Sequence, residues 1–355
     1  MSTLSINGNV VHYEVLGRGK PIILLHSWLG SWRYWIPTMQ RLHVKYRVYA
    51  LDLFGFGDSA RAPHRYSIHK QQEMLHEFMD LMDIPRVALI GHGLGAMIAA
   101  RYAYNYLNQR VSRLVLVSAP LQEIDGLASR IPLRQRGHRD ESDPDSTIQN
   151  ITNPALSSSI TERVMNKALK TQHDLHSPRD QDAREVLAGQ VNLERVGNYL
   201  RDQLGNLTYE EMLDRCLRRT DENYQKMIGD VRGADIMAFR EAISDFNPIE
   251  FLDGIHQLKV PTMLVHGEDD LLIPPPSDAV LGYITRDTTK KPTVKTQTEF
   301  AQKETTQPII LSNVGHFPML DEDRFYWLVS RFLESDNFSE LKELQSKERW
   351  RRRAR

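Results

Sequence analysis

Val87-Ala88-Leu89-Ile90-Gly91-His92-Gly93-Leu94-Gly95-Ala96 decides the fold of this 355-residue chain. An apolar run of strand length ends in a pentapeptide of alternating glycines. Small residues follow at helical spacing, with Ala96, Ala99, Ala100 and Ala103 recurring on one side. The pattern predicts a strand, a tight turn and a helix that lies close on a sheet. Gly93 stands at the centre of the turn.

The same alternation recurs on both sides. Residues 4–16 predict a hairpin about Asn7-Gly8-Asn9, with a period of two in Val10 to Val15. Residues 21–26 form a continuous apolar run, as a strand covered on both faces requires. A helix over 31–42, a strand over 47–52 and a glycine-rich loop over 54–59 follow. Ser67 is placed to cap a helix with Met74, Leu75, Phe78, Met79 and Met82 on one face. Beyond the organising stretch, residues 113–117 read as another strand. Strands and helices at this spacing predict a doubly wound, mostly parallel α/β sheet with an N-terminal hairpin.

The rhythm breaks after Pro120. Residues 121–240 hold a polar loop at 135–145 and helices, one around Val186 to Leu200 and one opening at the capping-box match Thr208 to Glu211. They predict a helical cap on a core made of residues 1–120 and 241–335. The sheet pattern returns at 260–267. Residues 285–307 are expected to form a long surface loop, and 308–312 the last strand. Residues 321–334 predict an amphipathic helix, and 336–355 a basic C-terminal helix or tail.

Bulk composition excludes several classes. The chain is 41% hydrophobic and 26% charged, with a formal net charge of −1, so no polyelectrolyte character points to nucleic acid. A single cysteine, Cys216, excludes an intramolecular disulfide and fits a reducing compartment. The first residues lack the basic and apolar regions of a signal peptide. No apolar run reaches the roughly 20 residues that span a bilayer. A cytoplasmic location, with no cofactor and no bound metal, is the expectation.

Five short motifs carry chemistry: His26-Ser27-Trp28-Leu29-Gly30, the loop Asp52 to Ser59, Gly91-His92-Gly93-Leu94-Gly95, Gly267-Glu268-Asp269-Asp270, and Gly315-His316-Phe317-Pro318. In this order the chain resembles the α/β-hydrolase fold family over about residues 4–120 and 240–335. The resemblance places Gly93 at the nucleophile position of a G-x-S-x-G elbow, where the family has serine. It assigns Asp270 as the acid, three residues after its glycine, and His316 as the general base. It assigns the backbone N–H groups of Trp28 and Leu94 to the oxyanion hole.

Two positions depart from the family. Gly93 removes the oxygen that would form an acyl-enzyme. Ser27 stands where the family has glycine, and it is assigned to the oxyanion side rather than to the nucleophile. Ser59, Ser118 and His92 are read as structural. Trp32, Tyr34 and Trp35 are read as core packing, and Trp28 as facing a pocket. The resemblance implies a small-molecule substrate, mostly apolar and ester-like. Three functional readings stand open. One is a hydrolase in which Asp270 and His316 activate a water in the room left at Gly93. Another is an inactive pseudo-hydrolase that binds small molecules or acts as a scaffold. The third is an engineered nucleophile knock-out of an esterase.

Overall fold

The computed structural model describes residues 2–105, 109–121, 123, 198–286, 305–321 and 323–334. These fall within one of the chain's two units, Met1–Ala128 with Asn198–Arg355. Most of the expected cap (124–197), most of the expected surface loop (287–304) and the basic tail lie outside the described residues.

Eight strands form one sheet in the order β1-β2-β4-β3-β5-β6-β7-β8. They are β1 (Ser2–Ile6), β2 (Asn9–Leu16), β3 (Lys20–Leu25), β4 (Tyr46–Leu51), β5 (Val87–His92), β6 (Val111–Val117), β7 (Thr262–Gly267) and β8 (Thr306–Leu311). β1 and β2 are the antiparallel hairpin; from β4 to β8 all neighbours are parallel. Asn7 and Gly8, at φ +48 and +78, make the two-residue turn whose twist matches the flanking strands. β5 is buried along its whole length and sits between β3 and β6. A two-sided apolar strand is stable only there, where burial of each large aliphatic side chain is worth about 1.5–3 kcal/mol. The last strand begins at Thr306, two residues before the apolar run that marked it. Backbone pairing of Thr306 with Thr262 extends the ladder past the apolar residues.

Helices α1 (Ile36–Leu42), α2 (Ile68–Leu81) and α3 (Leu94–Asn105) join the first parallel strands. Ser67 caps α2 by accepting from the Lys70 N–H. The Thr208 capping box opens the helix Tyr209–Cys216, with both reciprocal bonds made. Glu222–Gly233, Ile236–Ser244 and Pro248–His256 follow as further helices. The C-terminal amphipathic segment divides into a short turn, Pro318–Asp321, and the helix Asp323–Glu334.

The first turn of α3 lies directly on the end of β3. A Cβ at Gly95 would stand 2.2 Å from the Leu25 carbonyl oxygen, and the Gly95 N–H donates to the His26 carbonyl at 3.0 Å. Backbone cannot move aside as a side chain can. Gly95→Ala is therefore expected to destabilise the fold by at least about 1–3 kcal/mol, read as a lower urea midpoint at unchanged m. An unaltered midpoint would contradict this close approach.

Candidate active site

The strand order places the site. β3 and β5 are parallel neighbours, but the chain leaves β3 toward β4 and leaves β5 toward β6. The loops beyond their carboxyl ends therefore part, and the crevice between them is the usual ligand position in an open α/β sheet. The loop 26–30 leaves β3 and the glycine pentapeptide leaves β5. Ser118 follows β6, Asp270 follows β7, and His316 follows β8.

The turn after β5 has the sharp geometry of an elbow. Gly93 sits at φ +51, in the left-handed region. Its N–H donates to Val117 at 3.0 Å, and its carbonyl accepts from Ala96 and Met97 at 3.1 Å, which starts α3 at once. The space beside it is filled. A Cβ at residue 93 would lie 2.1 Å from Ser27 Oγ, 3.0 Å from Ser27 Cβ and 3.3 Å from the Trp28 ring. The expected room for a water is thus taken by the hydroxyl of the facing loop. Serine on one loop and glycine on the other complement each other in volume.

The structure brings Asp270 and His316 together, with His316 Nδ1 2.8 Å from Asp270 Oδ2. Ser118 Oγ donates to the same oxygen at 2.8 Å, while Oδ1 accepts the Leu272 and Ile273 N–H groups at 2.9 Å. Burial works against the charge of Asp270. The His316 charge and hydrogen bond, the Ile273 N–H and the Ser118 hydroxyl outweigh it and hold the carboxyl at about 2, below its ordinary 3.8. The folded-state value lies below the unfolded one, so the stabilisation is full above about pH 5 and is lost as pH falls toward 2. At about 1.4 kcal/mol per pKa unit, it is worth roughly 2 kcal/mol. Asp270→Asn is expected to flatten the loss of stability between pH 5 and 2 in urea titrations. An unchanged acid slope would exclude this pairing.

With Nδ1 committed to the acid, His316 presents Nε2, which is buried and has no hydrogen-bond partner among the described residues. The His92 ring lies 4.5 Å from the His316 ring. Burial, then the neighbouring His316 charge, pushes His92 well below the usual histidine range. It stays neutral and accepts at Nδ1 from the Tyr34 hydroxyl, 3.0 Å away. That hydroxyl in turn accepts the Ser27 N–H at 2.6 Å. Tyr34 is therefore more than the packing residue it looked like.

Among the described residues neither the Trp28 nor the Leu94 N–H donates to a protein acceptor. His26 sets the first of them. Its Nε2 accepts from Leu53 N–H at 2.9 Å, so Nδ1 carries the proton and donates to the Ser27 carbonyl at 2.7 Å. Across a trans peptide the Trp28 N–H points the opposite way. The Trp28 ring does not face an open pocket. It is fully buried, edge-on to Phe239 of the helix Ile236–Ser244, with centroids 5.6 Å apart. Ser27, Leu94, His92 and His316 are buried with it.

Ser59 has the structural place expected of it, donating to the Asp52 carbonyl at 2.7 Å. Ser118 also makes a buried hydrogen bond, to Asp270 Oδ2. A serine directly after a strand is a weak signal by itself. It gains meaning only once β6 is known to lie beside β7, and the Ser118 N–H ties to Val265 at 2.8 Å. A second group of ligand-type side chains joins His12 of β2 to Asp52 and Asp58 of the loop after β4. Asp52 is already engaged by His12 Nδ1 and by the Trp32 and Asp58 N–H groups.

Sequence comparison bears on the fold. The family model described as alpha/beta hydrolase fold matches residues 20–323. This chain belongs to the α/β-hydrolase fold family. A soluble epoxide hydrolase of Corynebacterium sp. is 33% identical over 100 residues, 28% of this chain and 35% of that protein. A pimeloyl-[acyl-carrier protein] methyl ester esterase of Vibrio campbellii is 33% identical over 110 residues, 31% of this chain and 41% of that protein. The chain thus aligns with between a third and about two-fifths of the length of such relatives. The fold extends further. A bromoperoxidase from Bacillus anthracis superposes with a TM-score of 0.61 at 17% identity, covering 94% of this chain and 99% of that one. An esterase from Exiguobacterium antarcticum gives 0.59 at 15%, covering 94% and 99%. Among the described residues no helix is long and apolar enough to cross a membrane.

Proposed function

We propose that this chain hydrolyses small, mostly apolar ester-like substrates. The observation that carries the reading is the Asp270–His316 pair at 2.8 Å, with Nε2 unpartnered, beside two unpartnered backbone N–H groups. Asp270 keeps the Nδ1–H tautomer of His316 and stabilises its cation. His316 Nε2 takes and returns the proton. The Trp28 and Leu94 N–H groups stabilise the oxyanion as the carbonyl carbon becomes tetrahedral. A neutral His92 leaves the His316 cation without a second positive ring beside it. Supporting an apolar substrate, a cavity of about 210 Å³ is bordered by residues that follow Ser118 and Asp270 in the chain, Pro120 and Ile273. Its lining includes Leu121, Leu200, Phe246, Ile273 and Pro274. The hydrolase and esterase names of two relatives support the reaction class.

The test is turnover of short- and medium-chain nitrophenyl esters by the native chain and by His316→Ala. Measurable turnover by the native chain that vanishes in the variant is expected. Equal rates in the two would overturn the reading. One observation favours a second reading, binding without chemistry: residue 93 carries no hydroxyl. That reading predicts thermal stabilisation by small apolar esters with no product formed.

A further inference from the structure

We propose that the nucleophile of this site is Ser27, a hydroxyl supplied from the loop after β3 in place of the one missing at the elbow. The proposal rests on the hydrolase reading above.

The two departures from the family pattern are one rearrangement in space. Ser27 Oγ lies 2.1 Å from where the Cβ of residue 93 would be, nearer than any non-bonded contact. The side-chain position of the elbow is therefore occupied, by an oxygen, from the facing loop. That oxygen is fully buried and has no hydrogen-bond partner among the described residues. A buried hydroxyl is normally satisfied, so an orphan at this place calls for a function. The Ser27 backbone is fixed from both sides, by Tyr34 Oη on its N–H and His26 Nδ1 on its carbonyl. Only the side-chain rotor is left without a bond.

The other groups that serine chemistry needs follow strands at the same end of the sheet. His316 Nε2 is also buried and unpartnered, and its ring lies 4.5 Å from the tilted ring of His92, the residue before Gly93. The Trp28 N–H follows Ser27 in the chain just as the Leu94 N–H follows the elbow position. Each hydroxyl site, the vacated one and the occupied one, thus has an oxyanion donor on the next residue, and both donors are free. Hydroxyl, base and donors in apo enzymes commonly close to bonding distance only around substrate.

The reaction needs only water as co-reactant. Ser27 Oγ bonds to the ester carbonyl carbon while its proton passes to His316 Nε2, and the oxyanion rests on the Trp28 and Leu94 N–H groups. The ester C–O bond breaks as the leaving alcohol takes the proton from His316, and acyl-Ser27 remains. Water then attacks the acyl carbon and gives its proton to His316. That proton returns to Ser27 Oγ as the carboxylic acid leaves.

The deciding experiment is peptide mass spectrometry of the full chain after exposure to an alkyl fluorophosphonate, run beside ester turnover. Expected is one phosphonyl adduct on Ser27, absent from His316→Ala. Ser27→Ala is expected to lose turnover by about 10³-fold or more with its melting temperature kept. An adduct on another residue, or none, overturns the assignment. If Ser27→Ala keeps turnover within tenfold while His316→Ala loses it, Ser27 is excluded and the hydrolase reading stands with water as nucleophile. If Ser27→Ala loses turnover but the native chain takes no adduct, Ser27 is an oxyanion donor and the assignment fails. No turnover and no adduct with the native chain overturns both readings. The adduct on native protein decides the matter even where a variant does not fold.

Discussion

Asp270→Asn is expected to lower kcat for ester hydrolysis by about 10⁴-fold with KM little changed, the size seen when a triad aspartate becomes asparagine. The hydrogen bonds at Asp270 say why. One carboxylate oxygen accepts two backbone N–H groups, from Leu272 and Ile273. The other accepts His316 Nδ1–H and the Ser118 hydroxyl. Asparagine has only one oxygen. If that oxygen serves the two backbone donors, its NH₂ faces His316 Nδ1, which must then give up its proton. The proton moves to Nε2, and the base is lost without any change in packing. A fall of less than tenfold would show that the His316 tautomer is set by something else. His316→Ala removes the base outright and is expected to cost at least as much.

The second large effect concerns the reciprocal pair. Gly93→Ser alone puts a Cβ at φ +51, a strained left-handed position worth about 1–3 kcal/mol. It also drives that Cβ into Ser27 Oγ, so Ser27 must rotate away. Ser27→Gly together with Gly93→Ser removes the collision and restores the family arrangement. The double variant is expected to exceed both the native chain and Gly93→Ser in kcat/KM by about 10²-fold. That is the penalty that a misplacement of roughly 1 Å typically imposes on a reacting group. Its melting temperature is expected above that of Gly93→Ser. Equal activity and stability in the single and double variants would show that the Ser27 hydroxyl does not obstruct the elbow.

The frame of the site was readable from the chain because each motif is local. Gly91 to Gly95 encode a turn, Asn7-Gly8 a hairpin, and Thr208 to Glu211 a cap, each through backbone geometry that neighbouring residues fix. The Asp270–His316 pair followed from family order. What was not legible depends on contacts between strands distant in sequence. Ser118 meets Asp270 across 152 residues, Tyr34 meets His92 across 58, and Trp28 meets Phe239 only because a later helix covers it. The fit of Ser27 against Gly93 is of the same kind. Each residue alone reads as a loss or an oddity, and only their separation in space shows one filling the place of the other.

The burial of the site also bears on kinetics. In the structure as it stands, Ser27, Trp28, His92 and His316 expose essentially no surface, and Asp270 only 4%. With the site closed in this way, a ligand reaches Nε2 only in conformers that expose it. If about one molecule in a hundred is so opened, the apparent affinity is about a hundredfold weaker than the intrinsic one. The observed binding rate then levels off at high ligand concentration, at the rate of opening. Entry, rather than chemistry, would then set the pace for good substrates.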